Sequence, residues 1–247
     1  MMEGKCYFLI IQRYEKEQNT FVLLPYRMKN NKINIYFIPG MAASSSIFDS
    51  ITLPADRFNI HLLEWLIPHK KESLSGYAKR MAAHVTHENP VLLGVSFGGM
   101  VAQEMARHIN VSRLIIISSV KSRHELPWRM RVARYTKVYK LLPTGMANNI
   151  ELLLKYAYGG GLTKRLERYQ KYIAIRDKQY LDWAIAQVVN WKQEKPLENS
   201  IHIHGDRDTV FPIKNIKDCI PVKGGTHIMI LQKYKWFNKN LPAILLN

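Results

Sequence analysis

Gly94-Val95-Ser96-Phe97-Gly98-Gly99 follows the apolar run Val91-Leu92-Leu93 and precedes Met100-Val101-Ala102-Gln103-Glu104-Met105-Ala106, a helix-like segment. A serine on so sharp a strand-to-helix turn is held in a strained backbone conformation with its hydroxyl pushed out of the sheet. Glycine at 94 and 98 lets the turn close, because a side chain there would strike neighbouring backbone. The glycine spacing alone is a modest signal. The strand before it and the helix after it make it much stronger.

Working outward from this turn, the chain alternates between apolar runs and amphipathic segments. Cys6 to Arg13 and Thr20 to Pro25 read as an N-terminal β-hairpin. Ile33 to Ile38 is a further strand ended by Pro39-Gly40, and Ser44 to Ile51 has the look of a helix. Phe58 to Leu66 reads as a strand. Leu74, Tyr77, Met81 and Val85 recur at helical spacing after Ser73. Leu114 to Ile117, Ser200 to His204 and Cys219 to Val222 read as strands, and Trp236 to Leu246 as a closing helix. This alternation predicts an α/β fold: a mostly parallel central sheet with helices on both faces.

The interval between Ile117 and Ser200 is far longer than the dozen or so residues a plain crossover needs. Its apolar positions have helical spacing, with one stripe at Val132, Tyr135, Val138 and Leu142 and another at Leu181, Ile185, Val188 and Val189. The expected organisation is a core of residues 1–118 and 199–247, with residues 119–198 inserted as a helical cap. Gly159-Gly160-Gly161 would be its joint. A lid over the site is the functional reading, because ligands in such sheets bind beyond the carboxyl ends of the strands.

Composition sets the outer limits. The 247 residues are 47% hydrophobic and include 13 Tyr, 8 Phe and 5 Trp, enough for a real core. Only Cys6 and Cys219 occur, so neither a disulfide framework nor a cysteine metal site is indicated. The first residues lack the layout of a secretion signal, and no apolar run has the length of a membrane span. The expected location is therefore a reducing cytoplasm. The net charge of +17 is unusual, and residues 119–198 carry 16 Lys and Arg against 7 Asp and Glu. A lysine-rich soluble surface is the plain reading; steering of anionic substrates, nucleic acid or acidic membrane surfaces is the functional one. No nucleic-acid-binding module accompanies the charge.

A serine hydroxyl is a poor nucleophile until a base takes its proton, and that base is usually a histidine oriented by a carboxylate. Both partners follow later strands. His204-Gly205-Asp206-Arg207-Asp208 comes after one strand, and Gly224-Gly225-Thr226-His227 after the next. Each group is expected at the same sheet edge as Ser96, in the chain order serine, acid, histidine.

With these three segments in this order, the sequence resembles the α/β-hydrolase superfamily from about Ile33 to the C-terminus. The resemblance implies a triad of Ser96, Asp208 and His227, with Asp206 as the alternative acid. It implies an oxyanion hole made by the backbone N–H groups of Phe97 and, in the Pro39-Gly40-Met41-Ala42 loop, of Met41. Many relatives have His-Gly where this chain has Pro39-Gly40. A serine nucleophile argues against the branches that use aspartate. The implied activity is cleavage of an ester of a small or medium acyl group through an acyl-enzyme, with no metal or organic cofactor. The expected partner is a small-molecule acyl substrate, an anionic one being the functional reading of the basic cap. A thioesterase acting on coenzyme A or carrier-protein esters, a carbon–carbon bond hydrolase, and a non-catalytic binding protein are the alternatives.

Other residues have blander readings. His202 and His204 alternate on one strand as metal ligands can, but without a third ligand nearby they read as a packed residue and a turn brace. His84 and His87 read as a solvated helix face, Tyr156, Tyr158 and Tyr169 as cap packing, and Trp65 as either pocket lining or core.

Overall fold

The computed structural model describes residues 32–142 and 171–246. The N-terminal hairpin, the glycine joint and Tyr156, Tyr158 and Tyr169 lie outside these residues.

The described strands form one six-stranded sheet: β1 (Ile33–Ile38), β2 (Phe58–Leu62), β3 (Val91–Val95), β4 (Arg113–Ile117), β5 (Ser200–Gly205) and β6 (Ile220–Val222), in the order β2-β1-β3-β4-β5-β6. Every neighbouring pair is parallel. Such strands are covered on both faces, and the run Val91-Leu92-Leu93 is accordingly buried throughout. Side chains alternate between faces with the two-residue period of a strand. Tyr36, Ile38, Leu92, Leu114 and Ile116 join one apolar cluster. Ile35, Phe37, Val91, Leu93, Ile115 and Ile203 join the other.

Against the first face pack α1 (Leu74–Ala82), α2 (Phe97–Met105) and α4 (Lys178–Asn190). Against the second pack α5 (Met229–Gln232), α6 (Tyr234–Leu246) and a 3-10 turn at Ser45–Phe48, shorter than the helix expected over Ser44 to Ile51. Side-chain caps start two of these helices. Ser73 Oγ accepts from Gly76 N at 3.1 Å, and Asp177 Oδ1 from Tyr180 N at 2.7 Å. Helix α1 ends at Ala82, so Val85, His84 and His87 fall beyond it rather than on its face. His87 Nδ1 instead lies 2.6 Å from Tyr36 Oη.

Between β4 and β5 the chain leaves the sheet, forms α3 (Trp128–Thr136), and returns through α4. The two expected apolar stripes behave differently. On α4, Leu181, Val188 and Val189 are buried, as the spacing predicts. On α3 no residue is buried. Lys137 adopts φ +57° and ends the helix, so Val138 falls in a following 3-10 turn, Val138–Leu141, and the stripe faces outward.

The return leg is stitched to the loop after β1. Ala43 and Ile173 form an antiparallel bridge. Ala42 O accepts from Ala174 N at 2.9 Å and from Ile175 N at 3.1 Å, and Ser44 N donates to Tyr172 O at 2.8 Å. A buried amide network fastens the other side. Gln193 Nε2 donates to Gln103 Oε1 at 2.7 Å and to Lys121 O at 2.6 Å. Trp191 Nε1 donates to Glu104 Oε1 at 2.9 Å.

Candidate active site

The strand order reverses between β1 and β3, since β2 lies outside β1 on one side and β3 adjoins it on the other. In open parallel sheets the crevice beyond the carboxyl ends at such a switch point is where ligands bind. The loop carrying Met41 leaves β1 at this point, and the turn carrying Ser96 leaves β3.

Ser96 has φ +54° and ψ −120°, a strained conformation for a residue with a side chain. The turn is possible because three backbones converge. A β-carbon on Gly94 would stand 2.3 Å from Gly98 O, and one on Gly98 only 2.2 Å from Pro39 O. Ser96 N donates to Ile117 O at 2.9 Å, and Ser119 Oγ donates to Ser96 O at 2.7 Å. The second contact could not be anticipated from the sequence, because Ser119 belongs to the exit of the next strand.

Ser96 Oγ lies 2.8 Å from His227 Nε2, and His227 Nδ1 lies 2.8 Å from Asp208 Oδ2. The structure thus brings together the serine, histidine and acid singled out in the sequence. Asp206 goes elsewhere: it is exposed, and its Oδ1 accepts from Gly224 N at 2.7 Å. Asp208 is buried, and its other oxygen accepts from Val210 N at 2.8 Å and Phe211 N at 2.9 Å. Burial pushes this carboxyl's pKa up. The neighbouring His227, its hydrogen bond, His204 and the Phe211 amide outweigh that and hold it below the ordinary aspartate value. An ionised Asp208 favours the His227 tautomer with its proton on Nδ1, leaving Nε2 free to accept from Ser96.

His204 is the turn brace its position suggests. Its Nε2 donates to Phe211 O at 2.8 Å, which leaves Nδ1 to accept from His202 Nε2 at 3.1 Å. Both rings are buried, and burial lowers both pKa values, that of His202 to about 2. They are therefore neutral at physiological pH. Among the described residues no cluster of three or more His, Cys, Asp or Glu could hold a metal.

Phe97 is the first residue of α2, so its N–H has no partner within the helix. Met41 lies in the loop that packs against Gly98. That loop is braced from two sides. Trp65 Nε1 donates to Gly40 O at 3.0 Å, and Ala42 N, at φ +62°, donates to Tyr180 Oη at 3.4 Å. Trp65 is buried and stacks on Phe97 with ring centroids 5.5 Å apart. Trp183 meets Phe97 edge-on at 5.8 Å and Tyr77 at 4.4 Å. These aromatics all belong to the first apolar cluster. The bracing role of Tyr180 had no sequence signal, because 138 residues separate it from Ala42.

No protein-family model matches the sequence, and no curated protein sequence does either. Solved structures do match. A thermophilic esterase from Thermogutta terrifontis superposes with a TM-score of 0.58 at 13% identity, over 86% of this chain and 89% of its own. The enol-lactonase from Burkholderia xenovorans LB400 gives 0.60 at 13% identity, over 88% of this chain and 92% of its own. An epoxide hydrolase of the α/β-hydrolase superfamily, from metagenomes of hot environments, gives 0.60 at 13%, over 87% and 91%. The chain has the α/β-hydrolase fold.

Proposed function

We propose that the protein is a serine hydrolase that cleaves an ester of a small or medium acyl group through an acyl-enzyme on Ser96. The observation that carries this reading is the unbroken line from Ser96 Oγ to His227 Nε2 and from His227 Nδ1 to Asp208 Oδ2, each step 2.8 Å. The neighbours of the same fold include an esterase, a lactonase and an epoxide hydrolase, so hydrolysis is the common chemistry and the serine selects the acyl branch.

In this mechanism His227 Nε2 takes the Ser96 proton as Oγ attacks the carbonyl carbon. The charge forming on the carbonyl oxygen is met by the N–H groups of Phe97 and Met41, a contribution of about 3 kcal/mol for each well-placed donor. Asp208 stabilises the imidazolium that results. His227 then gives its proton to the departing alcohol oxygen. Water, deprotonated by the same nitrogen, attacks the acyl carbon and frees Ser96. Residues 119–198 act as the cap that shapes the acyl site. No cofactor enters these steps.

The test is labelling by a fluorophosphonate probe, read by intact mass. One adduct on the wild type, absent from Ser96→Ala and strongly slowed in His227→Ala, is the expected result. A well-folded wild type that takes no adduct would overturn the proposal and favour a binding protein on a hydrolase scaffold.

A further inference from the structure

Helix α3 is amphipathic the wrong way round for a helix that covers a core. Trp128, Val132 and Tyr135 fall on one face, and all three are exposed, at 69%, 47% and 81%. Met130, Ala133 and Arg134 are the half-buried residues on the other side. The turn that follows continues the pattern, with Val138 and Leu141 exposed at 51% and 81%.

Charge accompanies these residues. Arg129, Arg131, Arg134, Lys137 and Lys140 are interleaved with them, and no acidic residue occurs between Glu125 and Glu151. The segment is held from behind. Arg129 Nη2 donates to Thr209 O at 3.0 Å and Val210 O at 3.3 Å, beside Asp208, and Asn190 Nδ2 donates to Tyr139 Oη at 3.0 Å. The outward face is therefore presented by fixed contacts on its inner side.

We propose that the surface formed by Trp128, Arg131, Val132, Tyr135, Lys137 and Leu141 docks on a lipid bilayer bearing anionic headgroups. Exposed Trp, Tyr and Leu beside Arg and Lys are the composition of a helix lying in a membrane interface, its rings at headgroup depth and its cations on the phosphates. Charge complementarity selects this occupant. A second copy of the chain would set one cationic face against another. An acidic protein would satisfy the cations, but the apolar residues form an exposed stripe along a helix rather than a pocket for a partner's side chains. Among the described residues no helix is long and apolar enough to cross a membrane, so the attachment is peripheral. The inference stands apart from the hydrolase reading.

The test is flotation of the full chain with phosphatidylcholine vesicles, with and without phosphatidylglycerol. The wild type and Ser96→Ala are expected to float equally, and only with the anionic lipid. Trp128→Ser/Tyr135→Ser leaves the net charge unchanged and is expected to weaken binding about tenfold. Arg131→Glu/Lys137→Glu/Lys140→Glu is expected to weaken it more than Lys223→Glu/Lys235→Glu/Lys239→Glu, which reverses three exposed cations elsewhere. Apart from Ser96, all substituted positions are exposed, and circular dichroism verifies folding. Wild-type affinity in the serine double variant, or equal losses in the two charge-reversed triples, would mean attraction by overall charge alone and overturn the proposal. Failure of the wild type to float would also overturn it and leave an acidic protein as the occupant.

Discussion

Gly205 and Gly225 meet backbone to backbone: a β-carbon on Gly205 would stand 2.3 Å from Gly225 O. Arg207 N donates to that same oxygen at 2.8 Å. The loop that carries Asp208 and the loop that carries His227 are thus pressed together just behind the two side chains.

Gly205→Ala is expected to destabilise the protein by about 2 kcal/mol, since Gly205 is held in β5 and Gly225 is hydrogen-bonded through both its N–H and its carbonyl. It should also slow probe labelling of the folded fraction by moving His227 off Asp208. Thermal unfolding together with labelling rate checks both. An unchanged melting temperature would show that the two loops have more room than this contact allows.

Asp208→Asn and Asp206→Asn separate the two acids. Replacing Asp208 favours the wrong His227 tautomer, and the expected loss in ester turnover is about ten-thousandfold. Replacing Asp206 weakens one exposed hydrogen bond to Gly224 N, worth about 1 kcal/mol of stability, and should leave turnover within a few-fold. Rates on a chromogenic short-chain ester decide between them.

Tyr180→Phe removes the acceptor for Ala42 N and leaves that amide unsatisfied beside Met41, at a cost of about 1–3 kcal/mol. In the proposed mechanism Tyr180 would be a positioning residue. Its loss is expected to lower kcat several-fold with little change in KM, because the oxyanion donor matters most in the transition state. A rise in KM at constant kcat would place Tyr180 in substrate binding instead.

The buried histidines set an acid limit. His202 and His204 have pKa values lowered by burial, so below about pH 6.5 the unfolded chain takes up protons that the folded chain refuses. Stability therefore falls as pH decreases, by up to about 1.4 kcal/mol per pH unit for each such ring. Denaturant unfolding between pH 6.5 and 4.5 should show this slope, and His202→Asn should reduce it. An unchanged slope in the variant would mean that His202 is not the group responsible.

Much of this architecture is legible in the linear chain because it depends on local chemistry. Gly94 and Gly98 mark a turn that no other residue could close, and the apolar runs before Ser96, Asp208 and His227 put all three at one sheet edge. What is not legible depends on distant partners. Nothing near Gly205 points to Gly225, and nothing in Tyr172 to Ile175 announces a bridge to Ala43. The α3 stripe shows another limit of periodicity. Spacing establishes that Val132 and Tyr135 share a face, but not whether that face turns inward. His84 and His87 fall outside α1 for a related reason, since the helical spacing continues in sequence past the point where the helix stops.

The bridge between Ala43 and Ile173 makes the long excursion between β4 and β5 something other than a detachable module. An appendage grafted onto a finished hydrolase could be trimmed or exchanged freely. Here the segment returning from the excursion supplies backbone partners to the loop after β1, so the parent sheet cannot complete that loop alone. Grafting this excursion into another protein of the same fold should therefore require its 42–44 counterpart to travel with it, the two segments forming one inherited unit.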